Sequence, residues 1–186
     1  MKNSIKISII ALLIGLIVSC KTDKNNNIEP EVKKVEPTEK TNIKPKVNIE
    51  KFIINFSFSS SEEGLLQVLY KSKKTNEWKR KYFKMNKSNQ FQNIVAEFDL
   101  NKYGSPEIVR FILGGETPKQ IKIKDFSISG DGNVIDINSD NFEKFIISNN
   151  FVKFNKDNNT LTTFKVKGAH IPIMILTKKA LDSLGN

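Results

Sequence analysis

Beyond residue 50, apolar and polar positions alternate with a period of two. Phe52, Ile54, Phe56 and Phe58 alternate with Ile53, Asn55 and Ser57, as in a strand with one face in a core. Leu66, Val68 and Tyr70 alternate with Gln67 and Leu69, and Ile94, Ala96, Phe98 and Leu100 with Val95, Glu97 and Asp99. Val109, Phe111 and Leu113 follow. Ile121 and Ile123 then alternate with Lys122 and Lys124, and Phe126 and Ile128 continue the run. Residues 134–137, 151–154, 161–166 and 171–175 predict further strands. Turn chemistry separates them: Gly114-Gly115, Gly130-Asp131-Gly132-Asn133 and Lys156-Asp157-Asn158-Asn159. The last two suit hairpins. Short helices are predicted over 139–147 and over 178–184, the second capped by Thr177. Many short strands with regular turns make an all-β fold, an antiparallel β-sandwich of jelly-roll-like type with one or two short helices.

The first 50 residues follow a different pattern. Lys2 and Lys6 precede an apolar run over 7–18, interrupted only by Ser8, and then come Ser19 and Cys20. A spanning helix needs roughly 20 apolar residues, so this run has the length of a signal h-region instead. Ile17, Val18, Ser19 and Cys20 resemble the lipobox of bacterial lipoproteins, with Ile17 in place of the usual Leu. The resemblance implies a diacylglycerol on the Cys20 thiol and cleavage before Cys20, with the domain outside the cytoplasm on a bacterial membrane. One acyl chain anchors weakly and two or three anchor firmly. Cys20 is the sole cysteine, so the remainder forms no disulfide.

Three segments result: a signal peptide over 1–19, a lipid-anchored flexible linker over 20–49 and a binding domain over 50–186. The linker has no aromatic residue, and Pro30, Pro37 and Pro45 recur among Lys, Glu, Asn and Thr. Such a composition buries too little apolar surface to offset ordering.

Within the domain, the run Glu107-Ile-Val-Arg-Phe-Ile-Leu-Gly-Gly, followed by Gln120-Ile-Lys-Ile-Lys-Asp-Phe-Ser-Ile, resembles a strand pair of galactose-binding-like jelly rolls. That fold includes many carbohydrate-binding modules. Arg110, Phe111, Leu113 and Gly114 match the first element, and Ile121, Ile123, Asp125, Phe126 and Ile128 the second. The resemblance implies a binding module and carries over no specific ligand.

Catalysis finds little support in the residues. The one histidine, His170, has no motif partner, no G-x-S-x-G element occurs, and no feature pairs two carboxylates as a glycosidase requires. Asp131, Asp136, Asn138 and Asp140 offer calcium-type oxygens without EF-hand spacing, and turn and cap chemistry accounts for them better. No cofactor and no metal is expected.

Charge is the sharpest functional signal. About +6 of the chain's +10 belongs to the domain. Lys71, Lys73, Lys74, Lys79, Arg80, Lys81, Lys84 and Lys87 share one stretch with Tyr70, Trp78, Tyr82 and Phe83. Basic residues interleaved with aromatics suit polyanions. The envelope address argues against nucleic acid and favours a glycan or anionic polysaccharide, its rings stacking on aromatics while Lys and Arg meet acid groups. The candidate ligand-binding residues are Tyr70, Trp78, Arg80, Tyr82, Lys122 and Lys124. The competing expectation is an assembly lipoprotein that binds another envelope protein through an apolar face or an open sheet edge, with His170 to Leu176 as a candidate edge.

Overall fold

The computed structural model of the chain describes residues 51–185. Cys20, the signal segment and the linker lie outside the described residues. The described part is an antiparallel β-sandwich, as the alternation predicts.

The chain runs through β1 (Lys51–Ser60), β2 (Gly64–Ser72), β3 (Trp78–Met85) and β4 (Ser88–Asp99), then a one-turn helix α1 (Leu100–Tyr103). Next come β5 (Pro106–Gly114), β6 (Gln120–Gly130), β7 (Asn133–Asp136), a second short helix α2 (Phe142–Phe145) and β8 (Ile146–Ser148). The last elements are β9 (Val152–Asn155), β10 (Thr160–Thr163), β11 (Ile173–Leu176) and α3 (Lys178–Ser183). The first sheet has the order β4-β1-β6-β10-β9, with β7 also on β6, and the second has the order β3-β2-β5-β11-β8.

The inward set of each strand is the one its alternation marks. Phe52, Ile54, Phe56 and Phe58 of β1 face Leu66, Val68 and Tyr70 of β2, and all are buried. Rings join the two sheets: Phe52 meets Tyr70 edge-on at 5.7 Å, Tyr70 stacks on Phe98 at 4.7 Å, and Phe111 meets Phe126 edge-on at 5.4 Å. Burial of these aromatics is the main stabilising term for a domain whose described part contains no cysteine.

Several local features follow from specific residues. In β6 the inward set shifts phase, from Ile121 and Ile123 to Phe126 and Ile128. The extra residue is a bulge: Ser57 pairs with Asp125 while the next residue, Phe58, pairs with Ile123. The β6–β7 hairpin turns on Asp131 and Gly132, both at positive φ (46° and 80°), the conformation of a type I′ turn. Thr177 caps α3 by accepting from the Ala180 amide at 3.1 Å.

Several expectations differ from the structure: the strand predicted over 161–166 ends at Thr163, the described residues hold three short helices where one or two were expected, and four further differences have specific causes. The region 139–147 is not one helix, since α2 stops at Phe145 and residues from Ile146 pair with β11. Leu100 does not extend β4. It opens α1, whose first turn is capped by Asp99 accepting from the Lys102 amide at 3.0 Å. The segment His170 to Leu176 is no open edge, because β11 lies between β5 and β8. The runs beginning at Glu107 and Gln120 do not pair with each other either. They form β5 and β6 in opposite sheets, meeting through Phe111 and Phe126 across the core.

Candidate functional site

The outer face of the second sheet carries the most distinctive surface. Strand geometry places Trp78, Arg80 and Tyr82 on one side of β3 and Lys79, Lys81 and Phe83 on the other. Register settles which side is which. Lys79 and Lys81 lie opposite the core residues Tyr70 and Val68, whereas Trp78, Arg80 and Tyr82 lie opposite Lys71, Leu69 and Gln67. The same outward rows continue into β5, where Ile108, Arg110 and Ile112 pair with Lys71, Leu69 and Gln67. They end on Ile173 and Ile175 of β11 and on Ile147 of β8.

Arg110 organises this face. Its guanidinium lies 4.9 Å from the centre of the Trp78 ring, a cation–π stack reaching across β2. Leu69, between the two, points outward and is still only 7% exposed, because the stacked pair covers it. Trp78 is therefore half-buried with its ring held in place, and Tyr82, two positions beyond Arg80, is 55% exposed. The arrangement offers a fixed indole, a free phenol and exposed Arg80 on one strand face.

The six sequence candidates do not form one site. Trp78, Arg80 and Tyr82 are together. Tyr70 is a core residue with no exposed surface, its hydroxyl donating to the Gly104 carbonyl, and burial pushes its ionisation well above the ordinary range. It has no surface to offer a ligand. Lys122 and Lys124 are exposed on the first sheet, on the far side of the sandwich. The physical reason is the period of two combined with the two-layer fold: residues close in sequence or alike in charge are sent to opposite faces.

The basic stretch divides for the same reason. Lys79 and Lys81 turn toward the open side of the sandwich, where their ammonium groups lie over the rings of Tyr103 at 5.0 Å and Phe98 at 5.9 Å. Their alkyl stems close the core there while the charges stay in water. Among the described residues, carboxylates pair with three of its eight basic side chains: Lys79 with Glu77 at 2.6 Å, Lys71 with Glu107 at 2.7 Å and Lys87 with Glu62 at 3.1 Å. The hydrogen bond and charge of Lys79 hold the Glu77 carboxyl below its ordinary value.

Arg110 is the residue that sequence reasoning did not select. Its signal was present as an arginine at an outward position within Ile-Val-Arg-Phe-Ile-Leu, a run otherwise apolar on both faces. His170 is held by protein groups, with Nδ1 2.6 Å from the Gly115 carbonyl and Nε2 2.9 Å from the Thr163 hydroxyl. Asn138 and Asn141 engage backbone amides in the turn before α2. Among the described residues no group of three or more His, Cys, Asp or Glu gathers around a common point. No described helix is long and apolar enough to cross a membrane. No protein-family model, curated protein or solved structure matches the chain.

Proposed function

We propose that the chain is a lipid-anchored lipoprotein of a bacterial cell envelope whose β-sandwich works by binding, and that it takes an acidic glycan on the outer face of the second sheet. The observation that carries this reading is the co-facial set Trp78, Arg80 and Tyr82, with Trp78 braced by Arg110. A braced ring offers a flat apolar surface to a sugar at little entropic cost. Arg80 supplies a forked donor for a carboxylate or sulfate. Trp78 and Tyr82 are four residues apart, or ~14 Å along a strand, the reach of a short oligosaccharide rather than a single ring.

Screening residues 50–186 against neutral and acidic glycans at two salt concentrations tests the reading. Acidic glycans are expected to bind and to weaken with salt, as exposed charge contacts do. Trp78→Ala is expected to lower affinity by about tenfold or more, the order seen for a central aromatic anchor. A folded domain that binds no glycan refutes it. The second reading, a protein partner, rests on a different observation: the isoleucines Ile112, Ile173, Ile175 and Ile147 continue the same face, and Ile147 is 58% exposed. A face of that kind suits protein contact, and pull-down from membranes with the acylated chain would detect the partner.

The anchor has its own test. Palmitate label is expected to enter the wild-type chain and to be lost completely in Cys20→Ser, and label retained by the variant would remove Cys20 from the proposal.

A further inference from the structure

A groove of about 450 Å³ lies where α3 meets the outward Ile108, Arg110 and Ile175 of the second sheet, within the ~300–1,000 Å³ range of small-molecule sites. Its walls are apolar: Ile108 and Ile175 from the sheet, and Leu176 and Leu181 at the α3 end. Its charges are unequal. The two carboxylates at its rim are already matched, Glu107 by Lys71 at 2.7 Å and Asp182 by Lys178 at 2.6 Å. Two cations remain, Arg110 in the wall and Lys73 at the mouth, and among the described residues no carboxylate pairs with either. The Nε of Arg110 is buried and has no hydrogen-bond partner among the described residues. A guanidinium N–H withdrawn from water without an acceptor is unfavourable unless a ligand supplies one.

We infer that this groove binds a small amphipathic carboxylate, with its aliphatic or aromatic body against Ile108 and Ile175 and its carboxylate on Arg110, and with Lys73 closing over the charged end. A sugar is a poorer match, because Ile108, Ile175, Leu176 and Leu181 offer its hydroxyl groups no partners and the two rim carboxylates are already held by Lys71 and Lys178. A neutral apolar molecule leaves the Arg110 Nε unsatisfied. A cation would meet two unpaired positive charges. The groove adjoins the glycan set on the same sheet face and shares Arg110 with it, which holds the carboxylate here and braces Trp78 there; Lys73 belongs to the groove alone, so Lys73→Gln tests this inference without touching the glycan set.

Trp78 is the only tryptophan in the chain and stacks on Arg110, so its emission reports on the groove. The test titrates octanoate, and in parallel octanol, into the full chain held in phosphatidylcholine vesicles. Octanoate is expected to change the emission saturably and to bind at least about tenfold more tightly than octanol, a difference of ~1.4 kcal/mol. Arg110→Gln is expected to abolish that preference, read by calorimetry because the substitution also alters the Trp78 environment. Lys73→Gln changes an exposed side chain that makes no ion pair among the described residues, and is expected to weaken octanoate by about threefold with octanol unaffected. Equal affinities for octanoate and octanol, an octanoate signal that does not saturate, or a carboxylate preference that survives in both variants would overturn the inference.

Discussion

Phe126→Ala is expected to lower the unfolding free energy by about 4 kcal/mol, near the top of the range for large-to-small core substitutions. Phe126 is 3% exposed and follows the β6 bulge. Its ring lies 4.9 Å from Phe56 in its own sheet and 5.4 Å from Phe111 in the opposite sheet. Truncation therefore removes apolar burial, leaves a cavity between two layers of strands and breaks two aromatic pairs worth roughly 0.5–1.5 kcal/mol each. The sheets cannot close over such a gap easily, since hydrogen-bonded ladders fix the strands on both sides. Total stability for a domain of this size is about 5–15 kcal/mol, so the variant is expected to be folded but marginal. Urea unfolding reads this as a lower midpoint at constant m. Phe91→Ala, at a 43% exposed position on β4, is the control, expected to change stability by less than about 1 kcal/mol. Similar costs for both variants would mean that Phe126 does not join the sheets.

The phase shift that ends at Phe126 shows what was legible in the chain. Inward residues at 121 and 123, then at 126 and 128, cannot share one face of a regular strand; read as one continuing run they predict the strand and its buried residues, and the bulge between them is added by the pairing with β1. The same directness holds for β1, β2 and β5, whose alternation marks their buried residues, and for the hairpin at Asp131 and Gly132. Other elements depend on contacts that local pattern does not contain. Phe142, Phe145 and Ile146 have helical spacing, yet from Ile146 the chain pairs with β11, about 30 residues later. Non-local pairing outweighs local propensity there. β3 has basic and aromatic residues on both faces because it is an edge strand. Its inner row only half covers the core, and its lysines discourage edge-to-edge pairing. The candidate binding face was half legible. Trp78, Arg80 and Tyr82 were visible as a spaced set, but Arg110 joins them only through the β2–β5 register. Lys122 and Lys124 leave the set because the sandwich has two outer faces.

Lys119→Met is expected to cost about 2–4 kcal/mol near neutral pH, from two carbonyls left without donors. Lys119 is only 2% exposed. Its ammonium donates to the Gly114 carbonyl at 2.7 Å and to the Glu63 carbonyl at 3.1 Å, tying the loop before β2 to the loop after β5. Neighbouring glycines make room for it. A Cβ at Gly64 would lie 2.5 Å from Lys119 Nζ and equally close to the Gly114 oxygen, and one at Gly115 would lie 2.7 Å from Nζ. Burial holds the ammonium below its ordinary value of 10.5, since desolvation disfavours the charged form. The sign of the pH effect follows. Between the depressed folded value and 10.5 the folded state binds fewer protons than the unfolded chain, so this group adds stability as pH rises through that window. The neutral amine keeps two N–H groups, enough for both carbonyls. Met has neither the bonds nor the titration, and tyrosine ionisation at high pH is common to both proteins and cancels in the comparison. The stability gap between wild type and Lys119→Met is therefore expected to widen as pH is raised from about 7 toward 10.5, measured by urea unfolding at each pH. A gap that stays constant would show that Lys119 titrates in the fold as it does in the unfolded chain. A gap that narrows would show that the fold favours its charged form, so that the two carbonyls outweigh burial.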